Sequence, residues 1–86
     1  MRIFLTYYCK YDCDTVTKII SRYAPRIEND TGSYIAFVCQ RMHTEPNTIL
    51  RLNIKRDLFP FVKAICKFES GYVPTESVLN EAFLKL

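Results

Sequence analysis

The chain has only two glycines, Gly32 and Gly71, and each stands alone. A loop that cradles phosphates on its backbone amides needs several glycines close together, so none is expected. Histidine occurs once, as His43 in the polar stretch "RMHTEP". Nothing near it ties it to a cysteine, and no cysteine-enzyme signature surrounds any of the four cysteines. Paired carboxylates for acid–base work are also missing. Asp12 and Asp14 read as helix-capping residues, and Glu28 and Asp30 as turn residues. No run approaches the ~18–20 apolar residues of a membrane span. The start, "MRIFLTYYCKYD", meets polar residues by Lys10, too soon for a secretory leader. These absences lead to the expectation of a non-enzymatic, cytoplasmic protein without a membrane partner.

What is present argues for a packed core. Of 86 residues, 49% are hydrophobic and 14% aromatic, which excludes disorder and fits one domain spanning residues 1–86. A domain of this size buries only ~60–65% of its unfolded surface, so a homodimer is a reasonable expectation. The net charge of +3 permits a nucleic-acid partner without requiring one. The four cysteines read as reduced thiols, because Cys39 in "YIAFVC" and Cys66 in "FVKAIC" lie in apolar stretches. Cys9 and Cys13 are spaced C-x3-C, and Cys39 and His43 C-x3-H, both compatible with zinc ligation. In the fold expected below, the two pairs end strands that lie ~10 Å apart, two strand spacings, so no metal or other cofactor is expected.

The pattern along the chain reads as α+β. "RIFLTYYC" (2–9) is β-branched and aromatic, as in a strand. Val16, Ile19, Ile20 and Tyr23 fall at i, i+3, i+4 and i+7, one face of a helix capped by Asp12 or Asp14 and stopped by Pro25. The apolar run at 34–39, after turn chemistry from Asp30 and Gly32, reads as a buried strand, and 48–56 as its hairpin partner. Asp57 is expected to cap a second helix with Leu58, Phe61, Val62, Ile65 and Phe68 as its stripe, Pro60 in its first turn and Gly71 as its stop. Tyr72 and Val73 could add an edge strand. Residues 75–86 then form a terminal helix, capped by Thr75 or Ser77, with Val78, Leu79, Ala82, Phe83 and Leu86 on one side. That helix packs on the core or on a second chain. The order β-α-β-β-α-(β)-α is that of a ferredoxin-like fold, a small antiparallel sheet with helices on one face.

The stretch "ILRLNIKR" (49–56) carries the functional expectation. Leu50, Leu52 and Ile54 alternate with Arg51, Asn53 and Lys55, and Arg56 follows. On a strand, the polar set would form a cationic row, and Phe4 and Tyr8 of the first strand would lie beside it. Cations for phosphates and aromatic faces for bases make a platform for single-stranded RNA. The third-strand signature of the RNA recognition motif, a basic residue and glycine followed by alternating aromatics, is absent from this stretch. The competing expectation is a protein–protein inhibitor without nucleic-acid affinity. It would use Tyr7, Tyr8 and Tyr11 of "YYCKY", with Phe83 and Leu86 of the terminal helix, since tyrosine and arginine dominate binding hot spots. Generous use of Ile, Lys, Asn, Phe and Tyr gives the chain the composition of a phage or viral accessory protein. The expected partner is RNA, or a host or toxin macromolecular complex.

Overall fold

The computed structural model describes residues 2–23 and 30–85. They form five helices: α1 (Arg2–Tyr11), α2 (Val16–Tyr23), α3 (Thr31–Met42), α4 (Lys55–Ser70) and α5 (Glu76–Leu84). Among the described residues there is no strand, so the α+β, ferredoxin-like expectation is wrong. Both stretches read as the first two strands are helices. The stop expected at Pro25 and the expected role of Leu86 fall outside the described residues.

The aromatic residues of α1 explain the first error. Phe4, Tyr7, Tyr8 and Tyr11 are spaced i, i+3, i+4 and i+7, which is helical periodicity carried by residues that favour strands. Phe4 is buried, with its ring edge-on to Tyr23 at 5.0 Å and to Phe61 at 5.1 Å. Asp12 ends α1 in the left-handed region at φ 55°, and the Cys13 amide donates to the Tyr7 carbonyl at 3.0 Å. Neither Asp12 nor Asp14 caps α2. Thr15 does so, its buried Oγ1 accepting from the Lys18 amide at 3.1 Å. The face of Val16, Ile19 and Ile20 is fully buried as expected, with Tyr23 half-buried beside it.

Asp30 begins α3 as a helix cap, its carboxylate accepting from both the backbone amide and the hydroxyl of Ser33. Those two bonds hold its carboxyl below the ordinary range. Tyr34, Val38 and Cys39 point into the core. At the other end His43 stands in the left-handed region (φ 57°, ψ 48°). Its amide reaches the Gln40 carbonyl at 3.3 Å and that of Thr44 the Cys39 carbonyl at 3.0 Å, the paired bonds of a Schellman stop. Glycine adopts this conformation without the Cβ clash that a side chain brings. His43→Gly is therefore expected to raise stability by about 0.5–1 kcal/mol, read as a higher denaturant midpoint at unchanged slope. An unchanged or lower midpoint would count against the strain.

Residues 43–54 cross from α3 to α4 without a partner strand, docked on the start of α2. The Pro46 carbonyl accepts from the Thr17 amide at 3.1 Å and hydroxyl at 3.0 Å, and the Asp14 carbonyl accepts from the Leu50 amide at 2.7 Å. Here a distant loop satisfies one of the first-turn amides that a helix leaves unpaired. α4, the longest helix, packs chiefly on α3, with α2 against α3 and α1 against α2. It buries the expected Leu58, Phe61, Val62 and Ile65, plus Phe59 and Ala64, and ends at left-handed Gly71. It starts two residues before Asp57, so Pro60 lies in the second turn, where it deprives the Arg56 carbonyl of its helical donor. Asp57 does not cap its own helix. Its Oδ2 instead accepts from the Arg51 amide at 2.7 Å and ties the crossing segment down. Thr75 caps α5 through the Val78 amide, and Leu79 and the Phe83–Phe59 ring contact at 5.8 Å seat α5 on the core.

Candidate nucleic-acid interface

The alternation in "ILRLNIKR" holds from Leu50 to Asn53 and breaks at Ile54, which was expected to be buried and is exposed, and no sheet carries it. Leu50 and Leu52 turn inward while Arg51, Asn53, Lys55 and Arg56 are exposed. Arg51 and Asn53 lie in the turn leading into α4, and Lys55 and Arg56 in its first turn. These four expected nucleic-acid residues therefore stay together, on a helix start in place of a strand.

Each cation is placed differently. Arg51 makes no ion pair with its side chain among the described residues, and the Asp57 bond fixes its backbone. Lys55 Nζ donates to Asn80 Oδ1 at 2.7 Å and stands 5.3 Å from the Phe83 ring and 6.0 Å from that of Phe59. Arg56 meets Asp57 at 3.4 Å, with its side chain 77% exposed. Ile54 supplies no side-chain cap to α4, so the positive end of the longest helix adds to the same side. Lys55, Arg56, Phe59, Pro60, Glu76 and Asn80 line a cleft of about 340 Å³ there. A larger cleft of about 560 Å³, lined by Phe37, Gln40, Arg41 and His43, sits at the carbonyl end of α3, which opposes an anion.

The aromatic half of the expected platform is not built as foreseen. Phe4 is 4% exposed and belongs to the core, and Tyr8 is half-buried against it. Phe59 and Phe83 are the rings beside the cations. Phe83 was expected to serve a protein contact, while Phe59 and Asn80 were missed. The i, i+4 spacing of Lys55 and Phe59 was the available signal for the first.

The tyrosines form a separate group. Tyr7 is half-buried and Tyr11 exposed, their rings 6.4 Å apart, and the Arg22 guanidinium lies 3.8 Å over Tyr11 and 5.6 Å from Tyr7. Cys9 is exposed, Cys13 and Cys39 are buried, and Cys66 is half-buried. Burial, with Glu45 nearby, pushes the Cys39 thiol up, away from nucleophilic thiolate. His43 is exposed at its helix end. Among the described residues, no three His, Cys, Asp or Glu side chains come together to hold a metal, and no helix is long and apolar enough to cross a membrane.

No protein-family model matches the chain, and no solved structure matches it. Over 74 residues, 85% of its length, the chain is 35% identical to Protein P5 of Pseudoalteromonas phage PM2, of which it spans only 44%. The chain is thus similar to a phage protein about twice as long.

Proposed function

We propose that this is a phage-type, non-enzymatic binding protein that contacts single-stranded RNA, or a complex containing it, through the start of α4. One observation carries the reading: Arg51, Lys55 and Arg56 are exposed together at a helix start that lacks a side-chain cap. Phosphate contacts need mobile cations within reach, and the amide end of a helix adds positive potential at no side-chain cost. Half-buried Phe83, 5.3 Å from Lys55 Nζ, supplies ring surface for a base next to the phosphate contacts, with buried Phe59 behind it. Asp57 and Glu76 limit the excess charge, which favours a weak, regulatory contact over a tight one.

Titration of fluorescent single-stranded RNA at several salt concentrations tests this. Three phosphate contacts on a single strand predict a fall of log K with log salt with a slope of about −2. The triple change Arg51→Ala, Lys55→Ala, Arg56→Ala is expected to abolish binding with the helical circular dichroism unchanged. Absence of binding by the unaltered protein at low salt, or equal binding by the triple variant, refutes the assignment.

A further inference from the structure

We infer that the α1–α2 surface around Tyr11 is a hot spot for a protein partner that presents a carboxylate. The Arg22 guanidinium carbon stands over the Tyr11 ring, 3.8 Å from its centroid, and Lys10 Nζ approaches the same ring at 5.9 Å. Neither cation has an ion-pair partner among the described residues, whose ion pairs involve Lys18, Arg56, Lys63 and Lys85. Tyr11 itself is 44% exposed.

Stacking holds the guanidinium in place before any partner arrives. Its N–H edge remains free for a two-pronged bond to a carboxylate, and less side-chain entropy is lost on binding than for a free arginine. The Tyr7 and Tyr11 rings add rigid contact area at low entropic cost, the composition typical of interface centres. A phosphate could also take the guanidinium fork. The rim decides between them: exposed Asp12 follows Tyr11 directly, and Asp14 lies two residues on, paired with Lys18 at 3.1 Å. A polyanion meets repulsion at Asp12, whereas a protein of mixed charge can answer it with a lysine. This surface is separate from the start of α4, and its assignment stands whether or not that helix start binds RNA.

The test follows the Arg22 Nε–H resonance during titration with the blocked peptide EEKEEK and, in parallel, with a six-nucleotide single-stranded RNA. The expected result is a saturable shift with the peptide, tighter than any with the RNA at this resonance. Arg22→Lys keeps the charge but loses the planar fork and much of the stacking, so peptide affinity read from the Tyr11 ring resonances should weaken about fivefold or more. Both residues are exposed, so the variant keeps the fold, checked by its unchanged amide spectrum. No saturable peptide shift, equal affinity of Arg22→Lys, or a tighter response to RNA at Arg22 each overturn the inference.

Discussion

Leu52→Ala is expected to cost about 2–5 kcal/mol, while Arg51→Ala and Asn53→Ala on either side change stability by no more than about 0.5 kcal/mol. Leu52 is fully buried although it sits in a segment with no regular hydrogen-bond ladder, and its two neighbours are exposed. Few backbone bonds hold that segment: Leu50 to Asp14, Thr17 to Pro46 and Arg51 to Asp57. Burial of Leu50 and Leu52 must therefore supply most of its attachment. For a domain of this size, total stability is about 4–13 kcal/mol, so the loss would be a large share of it. Chemical denaturation of the three single variants gives the answer directly. A cost below about 1 kcal/mol for Leu52→Ala would mean that the segment is a loosely attached loop, and the cationic residues it carries would then lack a fixed position.

The contrast between 49–56 and the rest of the chain shows which parts of the structure were legible. Inside-out alternation says which side chains face the core, and that much was read correctly for Leu50, Leu52, Arg51 and Asn53. It does not say whether a neighbouring strand exists, because one extended segment laid on helices buries alternate residues in the same way. For α2, α4 and α5, the stripes could be read because apolar residues recur at helical spacing among polar ones, and Gly71 and Thr75 mark a stop and a cap. For α1 and α3, tyrosine, phenylalanine, isoleucine and valine pointed to strands while tertiary packing favoured helices. The six-residue run at 34–39 gave no period to decide between the two.

The candidate site follows the same division. Its cations are local in sequence and are exposed as expected, whereas its rings and its amide come from α4 and α5 and depended on the fold. Asn80 is 25 residues from Lys55, and only the packing of α5 across the start of α4 brings them together. The Arg22–Tyr11 stack was hidden for the same reason, since reading 2–9 as a strand removed the helix pair that creates it. Errors in element type thus cost the long-range partners of each site and spared its local charges.

Stability should fall steeply above pH 10, and Tyr34 should account for a full proton of that fall. Its ring is buried, stacked on Phe68 at 3.9 Å, and its hydroxyl donates to Glu69 Oε1 at 2.8 Å. Burial first, then the Glu69 carboxylate, raise its pKa far above the ordinary tyrosine value. The raised value lies in the folded state, so this contribution is complete below about pH 10 and is lost as pH climbs toward the folded pKa, at about 1.4 kcal/mol per pH unit. Tyr23, raised chiefly by burial and next by Glu69, adds to the same limb, and Cys39 contributes from lower pH. Tyr34→Phe keeps the stacked ring and removes the titration. It is expected to cost about 1 kcal/mol near neutral pH for the lost hydrogen bond, because exposed Glu69 returns to water. Above pH 10 the difference from the unaltered protein should shrink and then reverse, since the variant no longer loses that proton's worth of stability. Urea denaturation from pH 7 to 11.5 measures both curves. Parallel curves throughout would mean that Tyr34 ionises as freely in the folded protein as in the unfolded chain, and that the Tyr34–Glu69 bond does not close the junction of α3 and α4.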